Sequence, residues 1–241
     1  PVINQTTGNG LVHNKPSGPR CTTNEFYALF NDPNDIRNQQ WLAGPQYWAN
    51  GNPILVRTTN FGYDQFYSGG SPGAALTYHL TISPLQTRLG AGSYDVGRDE
   101  IAWNTGYRNV KFLADPNSIT RNQNNDVPIF RFSDIIMMKA EAIQRGGTAT
   151  LGHTALSLVN MLRAVRTTSA PLTSLTLNDI YVERSREFSW EAWHRNDMIR
   201  FGRFEDSWGL GKTNTDTYRR VFPIPTSALA TNPNLTQNTG Y

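Results

Sequence analysis

Between residues 183 and 200 the chain reads ERSREFSWEAWHRNDMIR. Taken as a helix, this stretch stacks Glu183, Glu187 and Glu191 at four-residue intervals. Arg184, Arg186, Arg195 and Arg200 are interleaved, beside Phe188, Trp190 and Trp193. Acids four apart share one helix face, with Cβ atoms about 5–6 Å apart. That nominally overlaps the roughly 5 Å carboxyl separation of retaining glycosidases, so glycoside hydrolysis is the first chemistry to weigh. It fails on geometry. Catalytic carboxylates flank the scissile bond, whereas Glu183 and Glu187 would project side by side and leave no slot for a sugar ring. The arginines point to a different role: Arg163 and Arg166, three apart on the preceding segment, can face the ladder. Arg–carboxylate forks are what a helix pair uses when its contact is partly buried. The expected network is structural, made of Arg163, Arg166, Glu183, Glu187, Glu191, Arg195, Asp197 and Arg200, with no catalytic residue. The ladder reads as a strut.

The elements that must hold it lie after residue 128, where the pattern turns helical. Ser133 can N-cap a helix running to Arg145 and stopping at Gly146-Gly147, with Phe132, Ile136, Ala140 and Ile143 along one side. A second helix is expected over Thr154 to Arg166, with Ala155, Leu158, Leu162 and Val165 facing inward. Pro171 breaks the chain. Thr176 or Asn178 then caps a third helix through the acidic ladder, and a shorter one covers Asp197 to Phe201 before Gly202. Short loops between helices make an αα-hairpin arrangement. The end, VFPIPTSALATNPNLTQNTGY, reads as a Pro-stiffened extended segment, one helical turn and a polar tail. No repeat of solenoid period is evident.

Before residue 128 short apolar patches are broken by Gly, Pro and Asn. Only Glu25 to Phe30 (a short helix) and the alternating Leu76, Tyr78, Leu80 and Ile82 (a half-buried strand) look regular. The fold class is therefore mainly α with long irregular loops and a little β. Two parts are expected, a loop-rich 1–127 and a helical 128–241, forming one structural unit. Long loops in a compact domain usually do a job, often binding. Sugar recognition wants aromatic faces with amides, carboxylates and guanidinium groups nearby, and this half supplies them. The ligand-binding candidates are Tyr47, Trp48, Arg57, Asn60, Tyr63, Asp64, Tyr67 and Trp103. Trp41 reads instead as core.

Composition excludes several classes. Of 241 residues only 17% are charged, the net charge is +3, and the four lysines are scattered, so no basic block tracks a nucleic-acid backbone. The single cysteine, Cys21, permits no internal disulfide and no cysteine metal cluster. The polar KPSGPR before it does not suit the lipid-bearing cysteine of a lipoprotein. A chain opening at Pro1 without Met or signal is expected of a processed or trimmed piece of something longer. His13, His79, His153 and His194 lack ligand spacing, so no metal site is expected. GAG at 90–92 lacks the helix a phosphate loop needs, and GGSPG at 69–73 is no hydrolase elbow. Asp32, Asn34 and Asp35 can ligate Ca²⁺, but NDPND reads equally as a capped turn. No cofactor is expected.

Four ordered motifs carry a resemblance: PIFRFSDIIMMKAEAI (128–143), VNMLRAVR (159–166), LNDIYVERSREFSWEAWHRNDMIRFGRF (177–204) and the closing VFPIP…NPNLTQNTGY. Together they resemble the C-terminal part of the SusD/RagB family, with Ala192 where Gly is usual and Thr239 where Pro is usual. GYRNVKFLADPN and NDPNDIR are similar to further family segments in the loop-rich half. The resemblance implies a SusD-like helical scaffold lacking the family's N-terminal portion, with its lipoprotein signal and most of its tetratricopeptide-like helix pairs. It implies non-catalytic capture of oligo- or polysaccharide at the extracellular face of the outer membrane, lipid-anchored in the full-length parent. Delivery would be to a SusC-type TonB-dependent transporter. It also implies an aromatic platform on loops, without saying which ring serves. The alternatives are RagB-like peptide binding and, less favoured, a glycoside hydrolase using Glu183 or Glu187 with a distant carboxylate.

Overall fold

A computed structural model describes residues 21–48, 50–57, 77–82, 106–112, 126–207, 212–213 and 215–241. In chain order come α1 (Asn24–Tyr27), a 3-10 helix (Ile36–Gln40), β1 (Trp41–Leu42), β2 (Gly44–Pro45) and β3 (Leu55–Arg57). Next are β4 (Thr77–His79), β5 (Thr81–Ile82), β6 (Arg108–Asn109), α2 (Phe132–Gln144), α3 (Ala155–Arg163) and α4 (Leu177–Glu187). Last are α5 (His194–Arg200), a 3-10 turn (Thr217–Arg220) and α6 (Thr226–Thr231). The described residues are mainly helical, with a few short strands.

Two helices start by the same device. Thr154 accepts a hydrogen bond from the Ser157 amide while Ser157 accepts from the Thr154 amide, and Thr176 and Asp179 do likewise at α4. The expected cap of α2 is different. Ser133 lies inside the first turn and Arg131 holds the cap position without a side-chain bond. The Ser133 hydroxyl accepts from the Arg131 guanidinium instead, so it is not free to cap. At the other end, Gly146 takes φ +101°, the left-handed stop that glycine allows. α3 ends at Arg163, three residues earlier than expected, because the amides of Arg166 and Thr167 turn back to the Arg163 carbonyl. Val165 consequently faces solvent, at 61% exposure.

Met137 and Ala140 of α2, Leu158, Val159 and Leu162 of α3, Ile180 of α4 and Phe188 form the core. Each of these side chains other than Ala140 contributes roughly 1.5–3 kcal/mol of burial. Phe132, expected to face inward, is 76% exposed. The helix starts two residues earlier than expected, and its inward face runs through Ser133, Met137, Ala140 and Glu141. A second cluster gathers Phe26, Tyr27 and Phe30 around Trp41, which is buried as expected.

In the loop-rich half the strands form three antiparallel pairs: β1 with β6, β2 with β5 and β3 with β4. The alternating segment expected as one strand is split into β4 and β5. Leu80 bridges them, donating to the Ile54 carbonyl and accepting from the Gln46 amide. The tail closes on itself. Gln237 bonds both the amide and carbonyl of Ile224, and the Tyr241 hydroxyl donates to the Val221 carbonyl at 2.9 Å. Gly240, at φ +100°, lies under the Tyr218 ring, where a Cβ would come within 2.4 Å. No described helix is long and apolar enough to cross a membrane.

Candidate functional site

The acidic ladder is broken by the fold. α4 stops at Glu187, and a turn with Trp190 and Ala192 in left-handed conformation (φ 62° and 65°) leads to α5. Glu183 and Glu187 share a helix face. Glu191 does not; the turn brings it back to the same cluster. Glu187, its side chain 2% exposed, meets three guanidinium groups: Arg166 by a fork at 2.9 and 3.0 Å, Arg131 at 2.5 Å and Arg37 at 3.1 Å. Glu191 receives a second fork from Arg131 at 2.8 and 2.9 Å, together with the Lys111 ammonium. Glu183 pairs with Arg37 at 2.7 Å, Arg163 at 3.3 Å and Arg186 at 3.5 Å. The Arg37 contact meets Glu183 Oε1 outside hydrogen-bonding angles, so it is charge attraction rather than a directed bond.

A second set of pairs adjoins the first. Arg184, 1% exposed, donates to Asp197 at 3.0 Å and Asp134 at 2.9 Å. Arg200 joins Asp197 to Glu141, where Arg145 also binds. The Phe188 ring links the two sets, with the Arg131 and Arg184 guanidinium carbons 4.6 and 4.8 Å from its centroid. Arg195, expected in the network, stands outside it. It donates to the carbonyls of Arg219 and Arg220, and its guanidinium lies over the Phe204 and Phe222 rings. One residue past the start of a new helix, it points to the C-terminal tail rather than back at α4.

Charge balance sets the proton affinities. Burial alone would raise the Glu187 carboxyl, but hydrogen bonds from Arg166 and Arg131 outweigh it and hold the group at about 2. Burial likewise opposes the Arg37 cation, yet Asp35, Glu183 and Glu187 hold its proton more tightly than usual. For Lys111 burial wins and lowers its proton affinity, with Glu191 offsetting part of the effect. A general acid needs a carboxyl raised toward neutrality; Glu187 is driven the other way.

Arg37, Lys111, Arg131, Asp134, Glu141, Arg184 and Arg186 complete the clusters but were absent from the expected set. A signal existed: most stand inside the segments that carried the family resemblance, namely NDPNDIR, GYRNVKF and RFSD…AEA. Two of the basic groups come from the loop-rich half, so the clusters tie it to the helices.

Of the ligand candidates, Tyr47, Trp48 and Arg57 are described; Asn60, Tyr63, Asp64, Tyr67 and Trp103 lie outside the described residues. Tyr47 and Trp48 sit on a hairpin. The Trp48 amide donates to the Asn52 carbonyl at 2.8 Å, the Gly51 amide returns to Trp48 at 2.9 Å, and Gly51 takes φ +85°. Tyr47 is 47% exposed and packs edge-on against His79 at 4.9 Å. Trp48 is half-buried, and Arg57 is exposed on β3. Tyr47 and Trp48 are consecutive on one arm of the hairpin.

The Asp32 carboxylate accepts from the hydroxyls of Thr167 and Ser169 and from the Asn34 amide. Asp35 is engaged by Arg37. These contacts match a capped turn, and no acid or histidine group with metal-binding geometry occurs among the described residues.

The SusD family model matches residues 21–241. The starch-binding protein SusD of Bacteroides thetaiotaomicron is 28% identical over 171 residues, spanning 65% of this chain and 30% of that protein. The chain thus covers under a third of its curated relative's length. Among solved structures, surface glycan-binding protein A from Bacteroides fluxus aligns over 90% of this chain and 39% of its own. That alignment has a TM-score of 0.51 and 17% identity, a likeness of fold. Surface glycan-binding protein A from Bacteroides thetaiotaomicron, in complex with laminarihexaose, is 25% identical over 57% of this chain and 30% of its own, with a TM-score of 0.42.

Proposed function

The chain belongs to the SusD family, and from that premise we propose that it is a non-catalytic cell-surface protein that binds oligo- or polysaccharide. It captures glycan at the outer membrane's extracellular face, lipid-anchored in its full-length form, and passes it to a SusC-type TonB-dependent transporter. The starch-binding relative supports the ligand class. The observation that carries the non-catalytic reading is the saturation of Glu183, Glu187 and Glu191 by basic side chains. A carboxylate held ionised by three arginines has no proton to give a glycosidic oxygen, and the same arginines occupy the space a sugar would need. Their role is to lock α3, α4 and the loop-rich half together.

Binding falls to the loops, where the hairpin carries Tyr47 and Trp48, and Arg57 is exposed on β3. An indole or phenol face takes up sugar C–H surfaces, and the guanidinium serves hydroxyls. Thermal melting with maltohexaose and with a mixed peptide pool tests the reading. Maltohexaose should raise the melting temperature, the peptides should not, and Trp48→Ala should reduce the shift. A rise with peptides alone, or release of reducing ends from maltohexaose, overturns it.

A further inference from the structure

The turn after α4 is pinned on alternate residues. Glu187 and Glu191 lie in the ion-pair cluster; between them the Ser189 hydroxyl donates to Gln40, and Lys111 reaches the Ser189 carbonyl at 3.3 Å. Trp190 and Ala192 are thereby forced outward through left-handed backbone, at φ 62° and 65°. A residue with a Cβ adopts that conformation only where its surroundings over-determine it. Trp190 therefore stands where the cluster puts it. Its indole is 40% exposed and has no hydrogen-bond or ring partner among the described residues. Trp41 and Trp193, by contrast, are each engaged.

Trp190 lines a cavity of about 580 Å³ between α1, α4 and the start of α5, within the range of small-molecule sites. Phe26, Tyr181 and Met198 supply apolar wall. Arg203 lies over the Tyr181 ring, and Phe26 meets His194 edge-on, so Trp190 offers the unoccupied aromatic surface. Polar groups stand beside it. Glu25 is exposed and unpaired among the described residues, and His194 engages Ser185 through Nδ1 alone, at 3.4 Å. Arg203 holds Asn178 and Asp206 at the rim. An apolar ligand would leave the Glu25 carboxylate without use. A pyranose presents both a C–H face and hydroxyls.

We infer that this cavity is a second glycan site, on the helical half, taking one glycosyl unit of an oligosaccharide. The sugar face packs on Trp190, and its hydroxyls bond Glu25, His194 and Arg203. The inference rests on the glycan-binding reading above. Calorimetric titration of the whole chain with maltohexaose, and with laminarihexaose in parallel, tests it. Four proteins are compared: wild type, Trp190→Gly, the double variant Tyr47→Ala/Trp48→Ala, and Glu25→Gln. Glycine accepts the φ of residue 190, so Trp190→Gly removes the indole without strain, and circular dichroism checks its fold. Wild type should bind two hexaoses per chain. Trp190→Gly and the hairpin variant should each bind one, and Glu25→Gln should weaken the cavity site about 10-fold. Two sites of unchanged affinity in Trp190→Gly, or no binding in the folded hairpin variant, overturn the second site and leave the glycan reading standing. Wild type that binds neither hexaose defeats that reading, and the second site with it.

Discussion

The segment from Glu183 to Glu191 and the hairpin from Gly44 to Arg57 make opposite use of polar and aromatic side chains. In the first, acids are the buried residues: Glu183, Glu187 and Glu191 are nearly inaccessible, and each is met by at least two cations. In the second, no ion pair is made among the described residues, the backbone bonds itself, and Tyr47 stands half out in solvent. Residues rich in chemical potential can thus be the least available for chemistry. A buried, fully paired carboxylate holds shape, because removing one partner strands the others. A ring on a short hairpin contributes little to stability and is open to a ligand.

That contrast can be broken most directly at Glu187. Glu187→Gln removes the carboxylate shared by Arg37, Arg131 and Arg166, leaving Arg37 to Asp35 and Glu183, Arg131 to Glu191, and Arg166 without an acid among the described residues, and should lower unfolding free energy by about 3–5 kcal/mol in urea titrations. Glycan affinity of the folded fraction should stay within about twofold of wild type. A large loss of affinity with stability intact would erase the distinction between the two regions.

Acid titration probes the same group with no mutation. The Glu187 carboxyl ordinarily titrates near 4.5 and is held at about 2 in the folded chain. A depressed folded value means that its contribution is present above the unfolded value and is lost as pH falls through the folded one. Stability should therefore hold down to about pH 5 and then decline toward pH 2, with Glu187 supplying about 3 kcal/mol of the fall. Glu141, lowered by Arg200 and Arg145 against the opposing effect of burial, loses its contribution on the same side. In Glu187→Gln the acid decline should be shallower.

At the hairpin the expected balance reverses. Trp48→Ala should weaken maltohexaose binding at that site about 30-fold, roughly 2 kcal/mol, as loss of an interface anchor does. Its unfolding free energy should move by less than about 1 kcal/mol. A melting temperature that drops as far as that of Glu187→Gln would show that Trp48 belongs to the scaffold. The smallest effect is expected at Ala192, whose φ of 65° penalises a Cβ. Ala192→Gly should add up to about 1 kcal/mol of stability, offset in part by greater freedom of the unfolded chain.

Much of the helical half was legible in advance. A helix start at Thr154, a cap at Thr176 or Asn178, a stop at Gly146, and Ala155, Leu158 and Leu162 as an inward stripe are all readable, because each is a local rule acting over one or two turns. The errors share a cause. Residue type alone makes Ser133 a cap, but Arg131 claims its hydroxyl; Val165 looks like core only when the 3.6-residue period is carried past the true end of α3. Arg195 was placed in the network by extending a helix that in fact stops at Glu187. The candidate binding residues were readable only as a class, since an aromatic among Gly and Asn looks alike whether it anchors a loop or meets a ligand.

The chain's own order of residues determined that acids at 183 and 187 would share a face, that helices would begin near 154 and just after 176 or 178, and that arginines would lie among those acids. These follow from backbone geometry and capping within a few residues. Arg163 and Arg166 could be read as facing those acids, and they do; only the tertiary structure decided that Arg37, Lys111 and Arg131 answer the ladder as well. Arg37 lies 150 positions before Glu187 and Lys111 lies 80 before Glu191. Pairing at that range depends on how the loops return to the helices, and no local period encodes it.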